Sequence, residues 1–241
     1  MRWDGRAWSR VDSGTSENLY AIAGCVDDDS ALAVAVGGDL HIGGSSLIAS
    51  RAVAREAASA VGPQPFVCEA SGMQHILLAV AHGPLGWFAA GYNGGIVRGG
   101  PGAWARVDVT HYSHVFALAC SEKRAFAVGL GGTMLMFDGE TWRPIASRVD
   151  EHLRGAYALG DCDVLCVGLS GTIVRYDGHH CTPMRAPARA HLEGVWARSP
   201  REAYAAGLAG AIFAYDGAAW SAMTQPDGAT RNFHAIHGSS Q

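Results

Sequence analysis

Charge is scarce in this sequence. Only 17% of its 241 residues are Asp, Glu, Lys or Arg, and they leave a formal charge of −4. No basic stripe runs through it. A nucleic-acid surface needs Lys and Arg to neutralise phosphates, so no nucleic-acid partner is expected. Long apolar runs are missing too. No stretch reaches the roughly 18 residues of a membrane helix, so no membrane partner is expected. The opening Met1-Arg2-Trp3-Asp4-Gly5 has no apolar stretch of the secretory kind. Nor does the chain carry a Gly-x-Ser-x-Gly elbow, a His-Glu-x-x-His pair, a phosphate-binding Gly-x-x-x-x-Gly-Lys-Ser/Thr loop or a Cys-x-x-Cys pair. Its six cysteines are Cys25, Cys68, Cys120, Cys162, Cys166 and Cys181. A chain long enough to bury its own core does not need disulfide staples, so reduced thiols and a cytoplasmic location are expected.

Glycine, by contrast, is abundant at 32 residues, and it recurs in register. Val128-Gly129-Leu130-Gly131-Gly132-Thr133 leads through an apolar strand to Phe137-Asp138-Gly139 and Trp142. Val167-Gly168-Leu169-Ser170-Gly171-Thr172 leads to Tyr176-Asp177-Gly178, and Ala206-Gly207-Leu208-Ala209-Gly210-Ala211 to Tyr215-Asp216-Gly217 and Trp220. The three aspartates are 39 residues apart. A fixed period of this size marks a repeat architecture. Each period holds an alternating small/large run, an apolar run, a glycine turn, a third strand, an Asp-Gly hairpin signal and a strand opening on Trp. Four short strands per period is the layout of a propeller blade.

The spacing predicts an all-β propeller forming a single domain over 1–241. First strands are expected near residues 19, 76, 115, 154 and 193. A sixth blade is expected to be split, with Trp3–Trp8 supplying its last strands and Asn232–His237 its first. Six periods with a loop insertion would need roughly 254 residues, so about one strand is missing from that blade. Five blades with extra terminal strands is the alternative. The insertion, at 54–74, is expected between the first two blades, where propellers commonly bind.

The repeat Val-Gly-x-x-Gly-Thr-Ile…Tyr-Asp-Gly-x-x-Trp resembles those of the photosystem II assembly/stability factors and of Asp-box (BNR, sialidase-type) propellers. It is more loosely similar to kelch and WD40 repeats. The resemblance implies a propeller with a binding habit rather than a particular activity.

Asp138, Asp177 and Asp216 are too regular for one active site and read as hairpin-turn residues. The histidines are less routine. His75, His152 and His191 are counted at one repeat position before the inner strand, with His114 one residue off and Arg231 in the last unit. Two readings stand: each histidine caps its own loop, or the set converges at the channel mouth to hold an anion or a metal ion. Tyr112, Phe66 and Trp196 would complete such a ligand site. No other cofactor is expected. The chain is therefore read as a non-catalytic interaction or scaffold propeller, serving another protein of the same pathway in a bacterial multi-protein system. The rival is a lectin-, glycosidase- or lyase-type propeller using the His/Arg ring.

Overall fold

A computed structural model describes residues 2–3, 6–9, 11–26, 30–38, 46–54, 66–109, 113–225 and 230–239. Those residues form strands and tight turns, with no α-helix among them. They group into two compact units, Met1–His82 with Gly86–Val107, and Gly83–Leu85 with Asp108–Gln241.

In the first unit, β1 (Arg2–Trp3) pairs antiparallel with β2 (Trp8–Ser9). The first four-stranded sheet runs β3 (Asn18–Val26), β4 (Ser30–Gly38), β5 (Ser46–Ala54) and β6 (Val67–Ala70). The second runs β7 (Leu77–Gly83), β8 (Gly86–Gly91), β9 (Ile96–Gly99) and β10 (Ala105–Val107). Val34, Val36, Ile48, Leu77, Trp87 and Val97 belong to one buried cluster here.

The second unit holds three such meanders. The third sheet is β11 (Val115–Cys120), β12 (Ala125–Gly129), β13 (Met134–Phe137) and β14 (Trp142–Pro144). The fourth is β15 (Leu153–Gly160), β16 (Asp163–Gly168), β17 (Ile173–Tyr176) and β18 (Cys181–Met184). The fifth is β19 (Leu192–Ser199), β20 (Glu202–Gly207), β21 (Ile212–Tyr215) and β22 (Trp220–Ala222). The second strand of each is its most buried element: all five residues of β12 are buried, as are Val164–Gly168 of β16. This is why those runs read as continuous apolar rather than alternating.

Five four-stranded sheets among the described residues match the five-blade alternative. The terminal strands expected for a sixth blade are present in part. β1 and β2 pair as expected, while residues 230–239 carry no strand. They nevertheless lie against the fifth sheet: the Phe233 N–H donates to the carbonyl of Gly207, the last residue of β20, over 3.0 Å, and Ala235–Ile236 pass close to Gly194 of β19.

The placement expected for the 54–74 insertion needs correction. Val67–Ala70 pairs with Leu47–Ser50 as the outer strand of the first sheet. The extra length therefore falls between the third and fourth strands of one sheet, not between sheets. The sequence count missed this because Val67-Cys68-Glu69-Ala70 lacks both the Asp-Gly turn and the Trp that mark the outer strand elsewhere.

Candidate functional site

Every repeat has two ends. At one end of the third, fourth and fifth sheets, the third and fourth strands join through Asp-Gly turns. The Asp177 Oδ1 accepts N–H bonds from His179 (2.8 Å) and His180 (2.7 Å). Asp138 and Asp216 do the same with the residues two and three further on. These bonds, led by Thr141 at Asp138, His180 at Asp177 and Ala219 at Asp216, hold all three carboxyls below the usual carboxylate range. The aspartates are turn residues, as expected. Their tryptophans pack on the preceding aromatic, Trp142 on Phe137 (5.4 Å) and Trp220 on Tyr215 (5.3 Å).

The first hairpins turn at this same end, and here the third and fourth sheets are tied together. Asp161 Oδ1 accepts from the Ser121 hydroxyl (2.7 Å) and the Lys123 N–H (2.8 Å). Arg124 donates to the Asp161 carbonyl (3.1 Å). Arg175, paired with Asp163 at 2.7 Å, reaches across to the Pro200 carbonyl at 3.0 Å, joining the fourth sheet to the fifth.

At the other end, the second and third strands join through three-residue 3-10 turns: Tyr92–Gly94, Leu130–Gly132, Leu169–Gly171 and Leu208–Gly210. The middle residue of each takes positive φ: 55° at Asn93, 58° at Gly131, 57° at Ser170 and 53° at Ala209. That conformation points its N–H out of the turn, and the histidines meet it. His152 Nδ1 accepts from the Gly131 N–H (3.1 Å), and His191 Nδ1 from the Ser170 N–H (3.2 Å). Asn232 Oδ1 accepts from the Ala209 N–H (3.0 Å). In the first unit, His75 Nε2 lies 3.1 Å from Asn93 Nδ2.

The register of the histidines also changes. The carbonyls of Ile76, His114, His152 and His191 accept the N–H of Tyr92, Leu130, Leu169 and Leu208. His114, expected one residue off, is therefore in phase with His152 and His191, and His75 stands one residue early. β15 and β19 each carry a second register shift before their hairpins, while β11 carries one, near its start. Counting from the glycine turn hides that extra residue. Arg231 likewise yields the in-phase place to Asn232. Its carbonyl accepts from Gly210 (2.8 Å), as that of Ala190 does from Gly171 (2.6 Å).

Each of the other expected ligand residues stands in its own surroundings. Trp196 is 8% exposed, stacked on Tyr204 with ring centroids 6.2 Å apart. It lies so near Gly238 that a Cβ there would come within 2.6 Å of the indole, so it offers no open face. Phe66 is half-buried and precedes β6 in the first unit. Tyr112 lies outside the described residues. Among those residues, no three His, Cys, Asp or Glu side chains are placed to hold a metal ion. The cysteines are free thiols, and burial pushes Cys120 up to about 12 and Cys181 up to about 11.

What sequence reading missed is a row just inside the histidines. The inner strands bulge between Val115 and Ala117, Leu153 and Gly155, and Leu192 and Gly194. The extra residues are Phe116, Arg154 and Glu193, and a bulge re-aims its side chain. The Arg154 guanidinium lies 4.6 Å above the Phe116 ring and donates from Nε to Glu193 Oε2 at 3.2 Å. The Phe116 ring is also 6.4 Å from the His114 ring and 6.3 Å from that of His152. The row thus joins three consecutive sheets through one aromatic, one cation and one anion. The available signal was that Arg154 and Glu193, 39 residues apart, hold opposite charges at one repeat position.

Comparison with known proteins is silent in sequence and clear in structure. No family model matches the chain, and no curated protein matches it. Among solved structures, YCF48 bound to D1 peptide superposes with a TM-score of 0.54 at 12% identity, over 91% of this chain and 85% of that one. YCF48 from Cyanidioschyzon merolae gives 0.58 at 12% identity, over 88% and 74%. The WD40 β-propeller domain of Doa1 gives 0.51 at 10% identity, over 99% and 92%. The chain has the fold of these β-propellers, the photosystem II assembly factor among them.

Proposed function

We propose that this chain is a non-catalytic interaction propeller. Its partner is another protein of the same pathway, within a bacterial multi-protein system in the cytoplasm. The observation that carries this reading is how the polar groups are spent. His152 and His191 each use Nδ1 on a turn N–H, and Arg154 and Glu193 use their charges on each other. A general acid or base needs a site left open to a substrate proton. A recognition surface needs held, partly exposed groups of mixed character, and Phe116, Arg154 and Glu193 are of that kind. That a similar propeller is described as bound to a peptide supports the same reading.

The test is affinity capture from the native host with the tagged full chain, beside Phe116→Ala and Arg154→Gln. A stoichiometric partner is expected, with capture by either variant reduced about tenfold, the loss of one hot-spot contact. Thermal melts confirm that the variants fold. A stabilising glycan or metabolite in a thermal-shift screen, with no protein captured, would overturn the proposal.

A further inference from the structure

Apart from the bulge row, a cleft of about 430 Å³ opens in the second unit. Its walls come from the loop after β18 and from the turn entering β22. Met184, Arg185, Ala186 and Pro187 form one side, and Ala218, Ala219 and Trp220 the other.

The cleft exists because the repeat breaks there. Trp220 pairs with Tyr215 as Cys181 pairs with Tyr176 and Trp142 with Phe137. The two residues before that position are Glu140-Thr141 in the third sheet and His179-His180 in the fourth. In the fifth they are Ala218-Ala219, so the side chains that stand there elsewhere are absent.

The walls are held before any ligand arrives. The N–H groups of Ala218 and Ala219 are fixed on Asp216 Oδ1 at 2.8 and 2.9 Å. Trp220 is 6% exposed and locked against Tyr215. Ala186 packs against the buried cluster that contains both rings. Pro187 adds a rigid rim, since its φ is fixed.

Arg185 is the one polar side chain among the seven that line it. Arg185 is exposed and makes no ion pair with any described residue, and Met184–Ala190 holds no acidic side chain. A slot of this size, lined by apolar side chains and one free cation, matches the general plan of a small-ligand site, about 300–1,000 Å³ with few polar groups that set orientation. Guanidinium geometry favours a planar, bidentate anion, which means a carboxylate.

We propose that this cleft binds a small aromatic or apolar monocarboxylate. The ring lies between Pro187 and the Ala218–Trp220 wall, and the carboxylate sits on Arg185. This is a second site, independent of the protein-docking reading above.

Phenylacetate and its uncharged isostere phenylacetamide form the matched probe pair. Both are titrated into the full chain by calorimetry and followed by ligand-observed NMR. Phenylacetate is expected to saturate in the millimolar range and to bind about tenfold more tightly than the amide, the value of one charge-assisted pair. Arg185→Gln is expected to erase that preference while leaving the weak amide binding. Ala219→Leu, which fills the slot, is expected to abolish both, with a thermal melt confirming its fold. Equal binding of acid and amide, or a preference that survives Arg185→Gln, would overturn the assignment. So would phenylacetate binding that ignores Ala219→Leu.

Discussion

At one end of the third, fourth and fifth sheets the chain turns through Asp138, Asp177 and Asp216. At the other it turns through Gly131, Ser170 and Ala209. Both ends satisfy N–H groups with side-chain acceptors, but from different distances. Each aspartate caps a residue two or three positions away. The acceptors at the other end lie 21 residues on, or 23 for Asn232, at the entrance to the next stretch of chain. A local cap is specified by its own turn and is repeated without change. A distant cap needs only some acceptor in the right place, so its identity drifts from His to Asn. The drift therefore reports relaxed chemistry, which lowers the value of the histidines as a site.

The sharpest test of this contrast is backbone clearance. At Gly168, a Cβ would stand 2.0 Å from the His152 carbonyl, with no side chain free to yield. Gly168→Ala is expected to cost about 3 kcal/mol or more in denaturant unfolding. Gly139, in an Asp turn, has nothing within 4 Å of an added Cβ, and only its φ of 106° opposes substitution. Gly139→Ala should therefore cost about 1 kcal/mol. Equal costs would break the comparison.

The Asp end has long-range ties of its own, and the one at Asp161 comes next in size. Asp161→Ala strips the acceptor from both Ser121 and Lys123, an expected loss of about 2 kcal/mol. Burial works against the ionised carboxyl, yet the Ser121 hydroxyl and Lys123 N–H still hold it below its ordinary value. The folded form is thus the more acidic one. Its contribution is complete above about pH 3.9 and is lost as pH falls through the lower folded value. Melting curves between pH 5 and 2 should show a steeper fall for the native chain than for Asp161→Ala. Parallel curves would remove Asp161 from the account.

A smaller effect is expected at the histidine end. His191→Ala leaves the exposed Ser170 N–H to water, costing about 1 kcal/mol as other lost caps do. His191→Asn, copying Asn232, should recover most of that. If Asn fails to rescue stability, or if partner capture falls while stability is unchanged, then His191 does more than cap its turn.

The strands were legible because they obey a period. The alternating inner runs and the apolar second strands recur at 39 residues, and their first members were placed within a residue or two of β3, β7, β11, β15 and β19. Asp-Gly turns were legible because their physics is local. What escaped was everything that depends on a one-residue irregularity. The bulges that carry Phe116, Arg154 and Glu193 leave no composition signal, and the second shift in β15 and β19 displaced the histidine count. The outer strand β6 escaped because its turn lacks the repeat's markers. The burial of Trp196 escaped because its covering by residues 230–239 is a tertiary fact.

The smallest effect has the opposite sign. Ala209 takes φ 53°, the left-handed region, where Gly131 stands at the equivalent place in the third sheet. A Cβ there costs about 1–2 kcal/mol in local strain, and glycine relieves it while adding freedom to the unfolded chain. The two terms oppose, so Ala209→Gly should stabilise by about 0.5 kcal/mol. Its N–H bond to Asn232 is a backbone bond and survives the change. Ser170→Gly should behave alike, because its N–H, not its hydroxyl, meets His191. Gly131→Ala in the third sheet should run the same exchange backwards. If all three shift the melting midpoint as stated, these turns are interchangeable scaffold. A loss of stability at Ser170→Gly alone would mean that its hydroxyl has work of its own at this end.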